Sequence, residues 1–466
     1  MADFVLATPT KQFFVSMLTR DIELKDAVLD LLDNCVDGVV RSISKNLQET
    51  DTHPYKGYWA KITFSGFSFL IEDNCGGISR EMAEYAFRMG RPSNAKYQNL
   101  RTVGVYGIGM KRAIFKMGRG ATVTTKHKRE AYKVTISSEW LGSDDEWKLP
   151  LKEERSPLDH SGTRIEITNL HPAVRRQFES DIYVTDFIEE VATHYAVIIE
   201  KGFAVYINKK QVKPKPSTLR LDVDYASKDE ALAPYIYFGI RDGVQFRLAV
   251  GIFDEMPPED ADEEESSEQR RSREDSGWTV VCNDRVVLYK DKTRLTGWGE
   301  ANVPSFHPQF ISISGVVEFT SDDPSKLPVT TTKRGVNSNS DLYLEVKNYM
   351  REGTKLFTNY TNRWKNDRKG EKRLVSSASV KEVRKLFNSF PRKQLERTRT
   401  PGDVRFIPAL PLPEDARSHR THRWIRFSRP IREIAILSEY LFGNVEAEPS
   451  DVGDECFKRV LKDARK

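Results

Sequence analysis

Apolar side chains at Leu24, Val28, Leu31, Leu32, Cys35 and Val39 recur at three- and four-residue intervals. That spacing predicts a helix from about Asp21 to Ser44 with one face toward a core. Asp21 suits its N-cap, and Glu23 puts an acid in the first turn. Trp59–Phe64 and Phe67–Ile71 read as two strands joined at Ser65-Gly66. Three glycines at 104, 107 and 109 precede a second helical segment, Met110 to Met117. Five more strands follow: Tyr235–Ile240, Phe246–Phe253, Trp278–Cys282, Arg285–Tyr289 and Phe310–Phe319. Asn283-Asp284 between two of them fits a two-residue hairpin turn, because both residue types tolerate the left-handed backbone such a turn needs. A long helical pattern through Leu344, Tyr349, Leu356 and Trp364 spans Asp341 to Lys365, and an amphipathic helix from Ile431 to Phe442 stops at Gly443. The chain is therefore expected to be α+β.

With 466 residues it has room for two or three domains. The pattern divides it into residues 1–215, a strand-rich region 216–365, and a basic, mostly helical region 366–466 containing a Pro-rich linker at Pro401 and Pro408 to Pro413. Residues 254–276 are acidic, hold Pro257-Pro258, and have little to bury, which predicts a disordered loop between strands. The net charge of +5, from 73 basic and 68 acidic groups, neither demands nor excludes nucleic acid. Basic charge is concentrated late. Arg417 to Arg432 interleaves cations with His419, His422, Trp424 and Phe427, a composition that suits either phosphates and bases or a solvated helical face. Four scattered cysteines, no signal peptide and no apolar span of membrane length place the protein in a reducing compartment, the cytoplasm.

Three segments carry candidate chemistry. On the first helix Asp30, Asn34 and Asp37 fall on one stripe. An Asn oxygen can ligate Mg²⁺, and a carboxylate one turn earlier can position a water. At the end of the first hairpin Asp73 can accept a hydrogen bond from the exocyclic amine of a base, while Gly76 and Gly77 allow a flat ring close to the backbone. In Gly104-Val105-Tyr106-Gly107-Ile108-Gly109-Met110-Lys111 the glycines present backbone N–H groups and a helix N-terminus to an anion, with Lys111 and Arg112 adding charge. The polar residues 91–103 before it would make a lid over phosphates. Taken singly, these are equally a solvated helix face, a turn and a Gly-rich loop. No G-x-x-x-x-G-K-[ST] occurs, so a nucleotide here has to be held another way.

In this order and spacing the set resembles the GHKL superfamily of gyrase-type topoisomerases, the ninety-kilodalton heat-shock chaperone, sensor histidine kinases and MutL. Leu-Leu-Asp-Asn and Gly-x-Tyr-Gly-x-Gly-Met-Lys are most similar to the MORC-type ATPases. The resemblance covers about residues 20–170 and, more loosely, 216–345. It implies a Bergerat-type α/β sandwich that binds ATP and Mg²⁺, followed by a transducer-like domain. It makes Asn34 the Mg²⁺ ligand, Asp30 the general base, Asp73 the adenine contact and Thr163 its support. Gly77, Ile78, Gly104, Gly107, Gly109, Met110 and Lys111 complete the nucleotide site. Val329-Thr330-Thr331-Thr332-Lys333-Arg334-Gly335 looks like the Gln-Thr-Lys loop of gyrase and MutL, which makes Lys333 the γ-phosphate contact, with Arg334 as substitute. Two positions depart from the family. Asp30 stands where Glu is usual, which shortens its reach by more than about one ångström and bears on turnover more than on binding. Cys75 takes the first Gly place of Asp-x-Gly-x-Gly.

The function implied is a slow ATPase switch, a homodimer clamping nucleic acid or a protein client when ATP is bound. The segment Phe4 to Leu18 would cross to the partner, and relatives of this size working beside effector proteins suggest bacterial defence against phage. An ATP-binding regulatory or chaperone-like module with little turnover is the alternative, raised by Asp30. A histidine kinase is disfavoured because the ATP fold comes first here.

Overall fold

A computed structural model describes residues 10–43, 52–88, 108–144, 146–154, 158–225, 228, 230–256, 273–330, 333–413 and 428–465. The chain divides into two compact units, Met1–Pro413 and Glu414–Lys466.

The first unit opens with α1 (Lys11–Arg20) and α2 (Leu24–Ile43). Asp21 does not start α2, as the sequence suggested; it closes α1. The misassignment has a simple cause, since an acidic residue between two helices fits either end. Beyond them lie β1 (Trp59–Phe64), β2 (Phe69–Asp73), α3 (Arg80–Phe87), α4 (Gly109–Met117), β3 (Gly118–His127), β4 (Glu130–Ile136), α5 (Ser138–Gly142), β5 (Leu151–Glu153) and β6 (Gly162–Leu170). The N-terminal domain closes with α6 (Pro172–Phe178), α7 (Asp181–His194), α8 (Ala196–Glu200), β7 (Ala204–Ile207) and β8 (Lys210–Gln211).

The eight strands form one sheet in the order β5-β4-β3-β6-β2-β1-β7-β8, antiparallel except between β1 and β7. Alternation on β1 and β2 sends Ala60, Ile62, Phe64, Phe69 and Ile71 inward, where they meet Val28, Leu31, Leu32 and Val39 of α2. Pairing of β2 with β6 sets Glu72 opposite Arg164, which brings the Gly162-Thr163 segment beside Asp73. On α1, Lys11 lies over the Trp140 ring and donates to Trp140 O at 2.7 Å, seating this helix on its own domain.

A second sheet is built from β10 (Tyr235–Arg241), β11 (Val244–Ile252), β12 (Gly277–Cys282), β13 (Arg285–Asp291), β14 (Ile313–Thr320), β16 (Glu396–Arg397) and β17 (Val404–Phe406), in the order β13-β12-β14-β11-β10-β17-β16. Asn283 and Asp284 take φ of 44° and 68°, the left-handed pair expected of a tight hairpin turn. One face packs on Tyr343, Val346, Met350 and Phe357 of the helix Asp341–Trp364. The other is covered by β9 (Thr218–Leu221), its partner β15 (Ser379–Glu382) and the helix Val383–Ser389. Residues 366–413 thus complete the second domain instead of starting a third, and the chain divides at 413, later than the sequence boundary of 365. The reason is length: β15 has 4 residues, β16 has 2 and β17 has 3, too few for alternation to announce a strand.

The second unit comprises the helices Ile431–Phe442 and Pro449–Ala464. Gly443, at φ 63°, ends the first of them in the left-handed conformation that favours glycine. The acidic segment's residues 257–272 and the basic residues 414–427 lie outside the described residues. No helix among the described residues is long and apolar enough to cross a membrane.

Candidate active site

The helix α2 is buried along almost its whole length. Of residues 27–40, only Asn34 is exposed. Asp30, Asp33 and Asp37 are all buried, so the expected polar stripe is not a solvated face. Buried carboxylates require partners, and their partners define the site. Asp30 receives Arg112 of α4, through Nε at 3.1 Å and Nη2 at 2.5 Å. Burial pushes the Asp30 carboxyl above its ordinary range, against the opposing pull of Lys333 and Arg112. Gly109 passes close by: a Cβ there would lie 3.4 Å from the Asp30 side chain, so the first and third segments do meet.

Asp73 ends β2. Its Oδ1 accepts the Cys75 N–H at 2.7 Å, the Thr163 N–H also donates to the carboxylate, and the thiols of Cys35 and Cys75 lie against it. Burial outweighs these donors and pushes its pKa up to about 6. The backbone around it is tightly drawn. A Cβ on Gly162 would come within 1.9 Å of Asp73 O, and one on Gly77, which sits at φ +69°, within 2.1 Å of Lys126 O. Only glycine fits either place. Thr125 ties the two segments together: its Oγ1 accepts the Ile78 N–H at 2.8 Å, donates to Gly162 O at 3.1 Å and lies 3.3 Å from Thr163 Oγ1. His160 Nε2 donates to Asp73 O at 3.0 Å, and His127 Nδ1 to Gly76 O at 2.7 Å. Nothing in the local sequence marked Thr125, His127 or His160, because β3 and the segment before β6 reach this loop only through sheet pairing.

Gly104, Gly107 and the proposed lid 91–103 lie outside the described residues. Beyond them Met110 is buried in the first turn of α4. Lys111 does not stand at the mouth of that helix. Its Nζ donates to Ala86 O at 2.9 Å, and burial pushes its pKa down to about 8. Arg112, likewise expected at the mouth, is engaged with Asp30.

The second domain reaches into this site with two loops. The loop between Leu327 and Val336 is pinched by a bridge from Val329 to Val336, and holds Lys333 at φ 57°. Lys333 Nζ lies 2.9 Å from Asp33 Oδ2. The turn of the β12–β13 hairpin brings Arg285, whose Nε lies 3.1 Å from Asp33 Oδ1 and whose guanidinium stacks 4.1 Å from the Tyr195 ring centroid. Tyr195 donates its hydroxyl to the same Oδ1 at 2.5 Å. Burial alone would raise the Asp33 pKa; Lys333, Arg285 and Tyr195 together hold it below the usual carboxylate range. Arg334 pairs instead with Asp26 and Glu190, away from Asn34. Asp33 was legible only as part of Leu-Leu-Asp-Asn, and Arg285 only as the residue after a turn.

The residues present suit a magnesium nucleotide. A single exposed amide in a buried helix, beside buried acids, offers an oxygen to a hard cation that keeps waters and phosphates as its other ligands. The glycine-lined loop before Ile78 is drawn tight against Lys126 and Gly162, which sets its backbone beside a buried carboxylate. A Bergerat-like layering of helices on a mixed sheet, with these groups converging on α2, defines a class of ATP-binding domain. Residues 22–166 match the family described as histidine kinase-, DNA gyrase B- and HSP90-like ATPase. The N-terminal domain is accordingly an ATP-binding domain of the GHKL type. No curated protein matches the chain.

Proposed function

We propose that the protein is an ATP-driven conformational switch that hydrolyses ATP slowly. The observation carrying this reading is the placement of Lys333, a second-domain cation, against Asp33, the neighbour of Asn34 on the ATP-motif helix. A lysine on a second-domain loop that meets a nucleotide's terminal phosphate would join phosphate occupancy to the position of the second domain. In this reading Asp73 accepts the adenine amine, with Thr163, Gly77 and Ile78 fixing its loop, and Asn34 holds Mg²⁺ by its amide oxygen. The ion, when bound, offsets phosphate charge. Asp30 takes a proton from water, and Gly104, Gly107, Gly109 and Met110, with Lys111 by its backbone N–H and not its buried ammonium, form the phosphate side. Kinship to MORC-type ATPases, dimerisation on ATP, a clamp on nucleic acid or protein, and service beside an effector in phage defence extend the reading on the strength of the sequence resemblance.

Asp30→Ala tests it. MgATP turnover should fall by about a hundredfold or more, while ATP binding by calorimetry persists. Turnover equal to wild type would remove Asp30 from the reaction.

The Asp30–Arg112 pair favours a second reading, a module that retains ATP with little turnover, because a carboxylate held by a guanidinium is a poor proton acceptor. Arg112→Gln separates the two. For a cycling switch, in which Arg112 turns to the phosphates, turnover falls severalfold. The acid limb of the pH–rate profile also moves to higher pH, since Asp30 loses a cation that lowers its pKa. A rise in turnover on this substitution would make the pair a lock and give the second reading.

A further inference from the structure

Asp33 is 1% exposed and carries one negative charge, yet it receives two cations from the second domain. The two are not equivalent. Lys333 hangs from a loop and its Nζ bonds one oxygen. Arg285 is 2% exposed, begins β13, and is fixed by its stacking on Tyr195. The hairpin tip that carries it is itself pinned to the N-terminal domain. Asp284 pairs with Lys201 and accepts the Tyr55 hydroxyl at 2.8 Å, and Val286 O accepts from His194 Nδ1 at 2.8 Å.

We infer that Arg285 is a positioning residue for the nucleotide reaction: it keeps Asp33 neutralised so that Lys333 can leave that carboxylate for the terminal phosphate. This rests on the assignment of Lys333 to the γ-phosphate. A buried carboxylate that loses its sole counter-ion is costly. With Arg285 in place, transfer of Lys333 leaves Asp33 still paired with a guanidinium and still accepting the Tyr195 hydroxyl. Without Arg285, Lys333 becomes the only cation on Asp33 among the described residues, and moving it would strand the charge inside the domain. Arg285 contacts Asp33, Tyr195 and its own neighbour Val286 O. It acts through Asp33, and its effect falls on the ligand that has a γ-phosphate.

The test uses the full chain and compares MgATP with MgADP. In Arg285→Met, kcat should fall about tenfold or more and the preference for a non-hydrolysable ATP analogue over ADP should shrink by a similar factor. ADP affinity should stay within about twofold of wild type. Arg285→Lys, which keeps the charge, should retain most of the preference. Adding Asp33→Asn to Arg285→Met removes the anion that would hold Lys333 and should restore the preference to within about threefold. This double variant has no stranded charge, so it also serves if Arg285→Met folds poorly. Equal weakening of both nucleotides in Arg285→Met, or no recovery in the double variant, would overturn the inference. Lys333→Ala separates the layers. If it leaves the preference at the wild-type value, the γ-phosphate assignment of Lys333 fails. If it abolishes the preference while Arg285→Met does not, only the role of Arg285 fails.

Discussion

Replacing Asp33 with Ala should destabilise the protein by about 3–5 kcal/mol, the range for removing one partner from a buried ion pair. The substitution leaves Arg285 and the Tyr195 hydroxyl buried without their acceptor, and Lys333 without its closest anion. Urea unfolding followed by tryptophan fluorescence reads the loss as a lower midpoint. Its pH dependence has a fixed sign. The folded-state pKa of Asp33 is depressed, so its contribution is present above the unfolded value near 3.8 and is lost as pH falls through the folded value. Wild type and Asp33→Ala should therefore differ fully at pH 7 and converge in strong acid. A difference under about 1 kcal/mol at pH 7, the size of an exposed pair, would show that the cluster is hydrated and carries little.

Asp73→Ala should weaken ATP binding by about ten- to a hundredfold, the worth of a hydrogen bond to a charged group. Because the folded pKa is raised to about 6, the protonated form is the one the empty protein favours, and its contribution to stability is lost as pH rises through 6. Ligand binding runs the other way, since an amine donor needs the ionised carboxylate. Affinity for adenosine, which has no phosphate titrating in this range, should rise between pH 5 and 7 with an inflection near 6. In Asp73→Ala that inflection should vanish. A flat profile in the wild type would place the base elsewhere.

Much of this was readable in the chain because strong local signals coincide with what tertiary structure demands. The helix carrying Asp30 and Asn34 and the strand Trp59–Phe64 show in their periodicity, and the Asn283-Asp284 turn and the stop at Gly443 in residues whose backbone preference suits the place. The partners of the site residues were not readable. Arg112 meets Asp30 across a helix pair, Thr125 and the two histidines arrive through sheet pairing, and Arg285 comes from the next domain. Each of these contacts joins residues far apart in sequence, and no spacing rule reaches that far. The burial of Asp30, Asp33 and Asp37 was hidden for a related reason: acids on a helix look solvated until a second layer supplies cations to cover them.

The second sheet has a consequence for the order in which the chain can mature on the ribosome. The N-terminal sheet holds all its strands once Gln211 has emerged, so that domain can close early. The second cannot. β10 is an inner strand only after Val404–Phe406 has paired with it, and until then its free edge is open to any passing strand. Trp364 likewise waits for Pro411 O to accept its indole N–H. A nascent chain stalled after the helix Asp341–Trp364 would thus present a finished nucleotide domain attached to an unfinished, adhesive one.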